Sequence, residues 1–316
     1  LIPACPLMHG TGLFTGMGTF YSGGTVVTLS APSLDPEELW QTVQDRGVNT
    51  VSIVGDAFAK PMLRALENNQ GRWDLSSLAG MISSGVMWSQ EVKEALLEHL
   101  PNALLADSFG SSEAVGFGAS IMAKGMPVQT ARFTTNDFCK VFDENDREIP
   151  RGSETPGFIA FGGPIPLGYY GDPDKTAKTF KTINGQRFSI PGDYCLVAED
   201  GTLTLLGRGS VCINSAGEKI YPEEVEETLK QHPAVDDALV VGVKDDKWGQ
   251  AVTGVVKLAE GETLDEAGII EFVKTQLAHY KAPKHVFAGG PPFRAPNGKA
   301  DYKSVTAFAE EQVAQL

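Results

Sequence analysis

The stretch Asp107-Ser-Phe-Gly-Ser-Ser-Glu113 follows an apolar run, Ala103 to Ala106, which predicts a short buried strand that enters a turn. The glycine frees the backbone at this turn, the serines offer hydroxyls and the glutamate offers a carboxylate. These groups suit a nucleotide, because an aromatic ring can stack on a base, hydroxyls can meet phosphate, and an acid can hold Mg2+. Taken alone, the stretch fits an ordinary polar turn after a strand equally well.

Strands and helices alternate in the sequence before this stretch. A helix is predicted to begin at Asp35-Pro-Glu-Glu38, with Asp35 as its N-cap, and to end near Gly47. Other patterns predict strands at Thr25 to Leu29, Val51 to Val54 and Met81 to Ser83, and helices at Ala57 to Leu66 and from Ser89 to about Leu100. This alternation predicts an α/β fold with a partial, doubly wound parallel sheet. Ligands bind at the carboxyl ends of such strands, where the turns at Ser84-Gly85 and Phe109-Gly110 both lie.

The pattern changes at about residue 137. Short strand-like runs between turns rich in Gly, Pro and Asp predict a small barrel-like β subdomain over residues 137–208, in which Asp200-Gly201 marks a hairpin. From residue 209 onward, mixed helical and strand patterns predict a separate α+β domain. We therefore expect three parts, over residues 1–136, 137–208 and 209–316.

Composition narrows the classes of function. The 316 residues are 42% hydrophobic, which is enough for sizeable cores, and the formal net charge of −14 argues against nucleic acid or an anionic membrane as the main partner. No apolar run approaches the roughly 18 residues needed to span a bilayer. The four cysteines are scattered without a Cys-x-x-Cys pair, which predicts a reduced, cytoplasmic chain without structural zinc.

Five sequence blocks occur in a fixed order. They are Pro6-Leu-Met-His9-Gly10, Asp107 to Glu113, Gly168-Tyr-Tyr-Gly-Asp172, Gly192-Asp193 followed by Gly207-Arg208, and Gly298-Lys299. Each block alone is weak evidence for any family. Together and in this order, the blocks resemble those of the adenylate-forming acyl-CoA synthetase superfamily. The tract from Leu206 to Glu226 is especially similar to actinobacterial fatty-acyl and steroid side-chain CoA ligases.

The resemblance implies a nucleotide site around the second block. Phe109 matches an aromatic residue that stacks on adenine, and Asp107 matches a polar residue that faces the adenine amino group. The turn at Ser84-Gly85 is implied to line the base. Ser112 is implied to touch the α-phosphate and Glu113 to coordinate Mg2+, and Gly110 and Ser111 are assigned to the same ATP site.

Four further residues receive roles from the same resemblance. Asp193 is implied to accept hydrogen bonds from both ribose hydroxyls, and Arg208 to lie near ribose and phosphate. Lys299 is implied to bridge the α-phosphate and the carboxylate substrate during adenylation, and His9 to lie beside the acyl pocket. Outside this ordered set of blocks, each of the four fits an ordinary surface, turn or core residue better.

The family joins an acid to ATP, releasing pyrophosphate, and then lets the thiol of coenzyme A displace AMP. Its C-terminal domain is mobile and pivots between the two steps, which implies a hinge near Ser210. Gly217 is implied to lie along the coenzyme A tunnel, where a side chain would block pantetheine. The resemblance therefore implies ATP, Mg2+ and coenzyme A as the small molecules used.

Three departures from the family pattern accompany the resemblance. Ser210 stands where Asp or Lys is usual, and Ala216 stands where close relatives carry a second glycine. The phosphate loop that ends in Pro-Lys-Gly is absent. The start at Leu1 to His9 has no initiator Met and no signal-peptide pattern, so we expect a chain that begins within a domain.

Three functional hypotheses follow. The first is an ATP-dependent acyl-CoA ligase acting on a fatty or other hydrophobic acid, favoured by the apolar, Gly-spaced stretch from Gly10 to Phe20. The second is an adenylating enzyme that loads a carrier protein, and the third is an inactive nucleotide-binding fragment. The oligomeric state stays open, with a homodimer as one option.

Overall fold

The computed structural model describes residues 1–86, 88–126, 132–294 and 300–316, without the side chains of Arg208 and Ser210. The chain forms two compact units. The first comprises Leu1–Pro191 and Leu196–Thr204, and the second comprises Gly192–Cys195 and Leu205–Leu316. None of the helices in the described ranges is both long and apolar enough to cross a bilayer.

A parallel sheet forms the start of the first unit. Its strands are β1 (Ile2–Pro3), β2 (Thr50–Ile53), β3 (Gly80–Ser84) and β4 (Leu104–Ser111), in that spatial order. The helices between them are α1 (Gly10–Tyr21), α2 (Pro36–Arg46), α3 (Asp56–Asn68) and α4 (Gln90–His99). The predicted α/β class is confirmed. All of the adjacent pairs in this part are parallel, as the alternation of strands and helices predicts.

The start of α2 shows how directly the sequence sets an element. Asp35 Oδ1 accepts hydrogen bonds from the backbone N–H groups of Glu37 and Glu38, at 2.9 and 3.2 Å. Proline occupies the first helical position and Gly47 follows the last, as predicted. The indole of Trp40 then donates to the carbonyl of Met62 at 3.0 Å, which fixes α2 against α3 inside the core.

The sheet continues with antiparallel and mixed strands. These are β5 (Ala114–Met122), β6 (Arg132–Thr135), β7 (Cys139–Phe142), β8 (Ser153–Phe161), β9 (Phe180–Ile183), β10 (Gln186–Ser189), β11 (Asp193–Val197) and β12 (Leu203–Arg208), with α5 (Pro173–Thr179) before β9. Beyond β4 the order is β5-β6-β12-β11-β8-β10-β9, and β7 lies beside β8. The parts of β11 and β12 that belong to this unit join at Asp200-Gly201, where the predicted hairpin turn is confirmed.

Two local predictions are wrong. Residues 25–29 form no strand, although Val27 donates a backbone hydrogen bond to Leu1 at 2.9 Å. The turn expected over residues 107–113 is mostly strand, because β4 extends to Ser111 and leaves only Ser112 and Glu113 to turn the chain into β5. β4 and β5 are antiparallel, with Asp107 opposite Ser120 and Phe109 opposite Gly118.

The second unit has its own sheet. Its elements are the 3-10 turn Gly209–Val211, the strands β13 (Ile213–Ser215), β14 (Glu218–Ile220), β15 (Val235–Asp245), β16 (Gly249–Leu258) and β17 (His285–Ala288), and the helices α6 (Pro222–Lys230), α7 (Glu266–Gln276) and α8 (Tyr302–Val313). The strand order is β14-β13-β16-β15, and β17 runs parallel beside β16. The predicted separate α+β domain is confirmed.

Alternate residues of β15 fill two cores on opposite faces of this sheet. Ala238 and Val240 pack with residues of α6 and α7 on one face. Leu239 and Val241 pack with α8 on the other face. Because the side chains of a strand alternate between faces, one apolar run can supply both cores. The strand is therefore buried on both sides.

Candidate functional site

The carboxyl ends of β3 and β4 bring the first two sequence blocks close together. Ser84 lies opposite Ser108 in the parallel register, so Gly85 follows at the level of Phe109. Gly85 has φ +89°, and a Cβ atom there would lie 3.0 Å from Cε1 of His9. A side chain at residue 85 would therefore meet the imidazole and force a strained backbone.

His9 is the N-cap of α1. Its Nδ1 accepts a hydrogen bond from the backbone N–H of Thr11 at 3.2 Å, and the side chain is buried. The hydroxyl of Thr11 donates to the carbonyl of Ser84 at 3.2 Å. These contacts fasten the start of α1 to the end of β3, so the predicted acyl-pocket residue lies against the predicted base-lining turn.

Phe109 lies in an aromatic cluster. Its ring centroid is 5.2 Å from that of Phe117 in a stacked arrangement and 5.3 Å from that of Phe133. The ring is only 8% exposed. Stacking of adenine on Phe109 stays a prediction, and since Phe117 already stacks on the ring, a base would have to use its other face.

Gly110 is needed for close approach of two backbones. Its φ is not in the left-handed region, but a Cβ atom there would lie 3.0 Å from the N atom of Gly116 and 3.2 Å from the carbonyl oxygen of Ala114. Both are backbone atoms of β5, which cannot rotate away as a side chain can. The glycine therefore allows the hairpin to be tight, a different reason from the flexible turn that the sequence suggests.

Glu113 lies in the turn at the tip of this hairpin and contacts the third sequence block. Its Oε1 accepts a hydrogen bond from the hydroxyl of Tyr169 at 2.5 Å. The ammonium group of Lys175 lies 3.9 Å from the centre of the Tyr169 ring, a cation–π contact. The structure thus brings together two blocks that are 56 residues apart in the chain.

The hydroxyls beside Glu113 differ in their surroundings. Ser112 is exposed in the turn. The hydroxyl of Ser111 is enclosed and makes no hydrogen bond with any of the described residues. An enclosed hydroxyl without a partner costs free energy unless water or a ligand satisfies it, so Ser111 is a polar group to which the described residues supply no hydrogen-bond partner.

These residues also fit a magnesium ion. Within the described ranges, no group of three or more His, Cys, Asp or Glu side chains could hold a metal by itself. Mg2+ usually binds through one or two carboxylates together with substrate phosphates rather than in an all-protein cage. Glu113 is such a single carboxylate, and it lies next to the hydroxyls predicted to meet phosphate.

Asp107 is paired with a lysine that the sequence interpretation did not single out. Nζ of Lys93, on α4, donates to Oδ2 of Asp107 at 2.5 Å, and their side chains are 3% and 15% exposed. Burial raises the pKa of the Asp107 carboxyl, and the positive charge of Lys93 opposes that rise. A sequence signal for Lys93 exists, because it shares the buried stripe of α4 with Val92, Leu96 and Leu97.

A cavity of about 230 Å3 opens beside this ion pair. Lys93, Asp107, Ser120, Arg132 and Thr134 are among the residues that line it. Arg132 is held by the hydroxyl of Thr202 at 2.7 Å. The cavity is therefore lined by both polar and apolar side chains of the first unit.

The remaining predicted site residues belong to the second unit or fall outside the described residues. Asp193 is buried at the start of β11. Arg208 ends β12, and Ser210 lies in the 3-10 turn that follows. Lys299 lies outside the described residues. An antiparallel bridge joins Arg294 to Ala300 on either side of residues 295–299.

Gly217 is the second residue of a two-residue hairpin turn between β13 and β14. Ala216 and Gly217 have φ +52° and +89°, the signs that a type I′ turn requires. No atom lies within 4 Å of the place where a Cβ at residue 217 would stand. Ala216 thus adopts a left-handed conformation that costs alanine roughly 1 kcal/mol.

Sequence family models match most of the chain. The model of the AMP-binding enzyme family matches residues 1–170, and the model of the AMP-binding enzyme C-terminal domain matches residues 224–289. The first match ends before residue 192 and the second begins after residue 205, so each falls within one of the two compact units.

Two curated actinobacterial relatives are similar over nearly the whole chain. The first is the medium/long-chain-fatty-acid–CoA/3-oxocholest-4-en-26-oate–CoA ligase of Mycobacterium marinum, which is 46% identical over 98% of this chain and 55% of its own length. The second is the 3-oxocholest-4-en-26-oate–CoA ligase of Rhodococcus rhodochrous, which is 44% identical over 95% of this chain and 55% of its own length. The chain spans about half the length of the curated relatives it matches.

Solved structures share the fold at lower identity. The ATP-bound MatB of Rhodopseudomonas palustris superposes with a TM-score of 0.81 at 24% identity, covering 98% of this chain and 60% of that one. The amide bond synthetase McbA of Marinactinospora thermotolerans gives 0.82 at 24% identity, covering 97% and 60%. The architecture described above is therefore that of these enzymes.

Proposed function

This chain belongs to the AMP-binding enzyme family, and from that premise we propose that the protein is an ATP-dependent acyl-CoA ligase. A hydrophobic carboxylic acid and ATP give an acyl-adenylate and pyrophosphate. The thiol of coenzyme A then displaces AMP and yields the thioester. The proposal includes a cytoplasmic location, which the four free cysteines support.

The observation that carries the proposal is the meeting of Glu113 and Tyr169 at the end of β4. It joins the second and third blocks in a chain that is similar over nearly its whole length to named CoA ligases. His9, Ser84 and Gly85 lie together at the neighbouring strand end. Residues of the first three blocks and the Ser84-Gly85 turn therefore lie near the carboxyl ends of β3 and β4, the edge at which a parallel sheet binds ligands, and this supports the proposal.

Adenylation builds negative charge on the α-phosphate as the carboxylate oxygen attacks the phosphorus atom. Positioned cations lower such a barrier mainly by electrostatics. We assign to Lys299 the role of the mobile cation, and to Glu113 the role of the acid that would hold Mg2+. The metal would neutralise charge at the phosphates. Ser111 and Ser112 would donate to phosphate oxygens, Asp107 and Phe109 would hold the base, and Asp193 and Arg208 the ribose.

Thioester formation requires a different face of the C-terminal part. We propose that residues 209–316 form a mobile domain that turns about Ser210, and that residues 137–208 close the nucleotide site. Gly217, at the tip of the β13–β14 turn, would lie along the path of pantetheine. The open space around its Cβ position is compatible with the passage of a thiol chain.

A hydrophobic acid is the proposed substrate. The relatives named above act on fatty acids and a steroid side-chain acid. In this chain α1 follows its N-cap His9 and presents exposed apolar side chains, among them Leu13, Phe14, Met17 and Phe20. Such a surface can accept an acyl chain and gains about 25 cal/mol for each Å2 of apolar surface that the chain covers.

AMP release from ATP tests the proposal. The assay contains Mg2+, coenzyme A and a panel of medium-chain, long-chain and sterol-derived acids, with the intact protein. Lys299→Ala should reduce acid-dependent AMP release by about 10²-fold or more and leave much of the use of preformed acyl-adenylate, because the lysine serves only the first step. Lys303→Ala, an exposed lysine on α8, is the matched control and should change neither step.

The outcomes separate the alternatives. Equal loss of both half-reactions in Lys299→Ala would contradict the role given to that lysine. A clear preference for small aromatic acids would refute the hydrophobic substrate. Adenylation without thioester formation unless a carrier protein is added would indicate a carrier-loading enzyme, and nucleotide binding without any AMP release would indicate a binding module.

A further inference from the structure

Among the described side chains at the candidate site, Lys93 is the most deeply buried cation. Its side chain is 3% exposed, and its ammonium group lies 2.5 Å from Oδ2 of Asp107 and 6.0 Å from the centre of the Trp88 ring. A buried lysine is costly unless a counter-charge compensates it. The pair therefore links α4 to the middle of β4. Burying an apolar residue at this point would cost less free energy than burying the lysine.

Burial and the ion pair act in opposite directions on the ionisation of Asp107. Burial raises the pKa of this carboxyl, and the nearby Asp56 raises it further, whereas the charge and the hydrogen bond of Lys93 lower it. Lys93 thus favours the carboxylate form over the carboxylic acid. The difference matters for recognition, because a carboxylate only accepts hydrogen bonds and a carboxylic acid also donates one.

The two oxygens of Asp107 are used differently. Oδ2 receives the Lys93 ammonium, and no described residue donates a hydrogen bond to Oδ1. Asp107 lines the cavity of about 230 Å3 beside β4. Along β4 it is two residues before Phe109, and across the sheet it is opposite Ser83, directly before the turn at Ser84-Gly85. A base held by that turn and by Phe109 would find a hydrogen-bond acceptor two residues before Phe109 on the same strand.

We propose that Lys93 is a positioning residue for nucleotide selection, which holds Asp107 as a carboxylate so that its other oxygen accepts from the 6-amino group of adenine. The inference rests on the proposed ATP site. A purine with a 6-oxo group, as in ITP, presents an acceptor at this point and would be repelled. The ion pair thereby contributes to nucleotide specificity, because it maintains a group that repels 6-oxo purines.

Direct binding measurements on the intact protein test this assignment. The dissociation constants of ATP and ITP are measured by calorimetry for the wild type, Lys93→Met, Asp107→Asn and the double variant. The wild type should prefer ATP by at least about 10-fold, the discrimination expected of a site that hydrogen-bonds one group and repels its replacement. Lys93→Met should bring the ratio close to one, because the buried acid then keeps its proton, which it can donate to the 6-oxo group.

The double variant shows whether Lys93 acts through Asp107. An amide can turn to accept or donate, so Asp107→Asn should lose most of the preference, and adding Lys93→Met should change the ratio no further. If Lys93→Met weakens the binding of ATP and ITP by the same factor and keeps the wild-type ratio, the inference is overturned. Lys93 would then have only a structural role. If Lys93→Met does not fold, the double variant provides the test, because it buries no charge at either position. A double variant that still prefers ATP would also overturn the inference.

Two controls complete the design. Lys124→Met removes the lysine of a surface pair with Glu98, whose side chains are 45% and 70% exposed, and should leave the ATP to ITP ratio unchanged. A wild-type protein that binds neither ATP nor AMP would contradict the proposed function itself. A wild type that binds ATP and ITP equally would sink only the role of Lys93 and Asp107.

Discussion

Glu226 is a carboxyl group buried inside the second unit, between α6, β15 and α8. Its Oε1 accepts from the backbone N–H of Val240 at 2.9 Å, and the hydroxyl of Tyr302 lies 3.3 Å from Oε2. Burial, reinforced by the negative charge of Glu223, raises its pKa to about 8, against the opposing charge of Lys230. Burial therefore favours the protonated form of Glu226 in the folded protein.

The protonated Glu226 makes the stability of the second unit depend on pH. The unfolded carboxyl ionises near its ordinary pKa of 4.5, and the folded one near 8, so between these values the folded state binds the additional proton. The free energy of unfolding should therefore fall as pH rises from about 4.5 to about 8. Glu226→Gln keeps the shape and cannot ionise.

We expect Glu226→Gln and the wild type to be similarly stable at pH 5, and the variant to be more stable at pH 8.5 by an amount of order 1 kcal/mol or more. Urea unfolding at the two pH values, followed by circular dichroism, measures the difference. Glu271→Gln, an exposed site on α7, is the control and should not show this pH-dependent gain. A variant as pH-sensitive as the wild type would mean that Glu226 does not titrate in this range.

At the scale of elements, the β4–β5 hairpin depends on the missing side chain of Gly110. An added methyl group would meet backbone atoms of Gly116 and Ala114 at 3.0 and 3.2 Å, and the two strands would have to move apart. In the same hairpin, Phe109 lies at the point where the pairing register shifts, and Glu113 lies in the turn. A small distortion here would therefore reach both the predicted base-stacking ring and the predicted metal acid.

Gly110→Ala should lower the free energy of unfolding by about 1–3 kcal/mol, the usual cost of overpacking, and should weaken ATP binding as well. Gly18→Ala is the matched control, because Gly18 lies inside α1 and an added Cβ would meet no atom within 4 Å. The control should gain about 0.5–1 kcal/mol, the ordinary advantage of alanine over glycine in a helix. Thermal unfolding of both variants decides the matter, and a Gly110→Ala protein as stable as the wild type would show that the hairpin can relax.

The same elements show what the sequence could and could not predict. The α2 helix was predictable, because Asp35, Pro36 and Gly47 each act locally on the backbone. The α1 helix was not predicted, since glycines at residues 10, 12, 16 and 18 hide its periodicity. The extent of β4 was missed because a strand of Ser, Gly and Asp owes its shape to the pairing with β5 rather than to its own propensity.

The contacts of the candidate site depend on folding over long distances. The identity of the blocks could be taken from a resemblance, but the bond between Tyr169 and Glu113 joins residues 56 positions apart and has no local signal. The burial of Lys93 was visible in the apolar spacing of α4, whereas its partner Asp107 was not. Side chains that meet across elements are set by tertiary packing, which a single sequence does not display.

At the scale of the whole molecule, each unit has its own hydrophobic core. In the first unit, Trp40, Met81 and Leu105 belong to one core around the parallel sheet. In the second, β15 supplies both cores of a five-stranded sheet, with α6 and α7 on one face and α8 on the other. A sheet covered on both faces buries enough apolar surface to be stable without a neighbour.

Residues 205–316 alone should therefore fold cooperatively. The fragment keeps both faces of the sheet, and it lacks residues 192–195 of this unit, including the packing of Tyr194 on Tyr221 at 5.6 Å. Urea unfolding should give one sigmoidal transition, with a midpoint below that of the same unit in the intact chain. Val256→Asp, which places a charge at a fully buried position of β16, is the negative control and should abolish the transition. A wild-type fragment with the spectrum of a random coil would show that this unit draws its stability from the rest of the protein, and the proposed rotation of an autonomous C-terminal domain would then lose its structural basis.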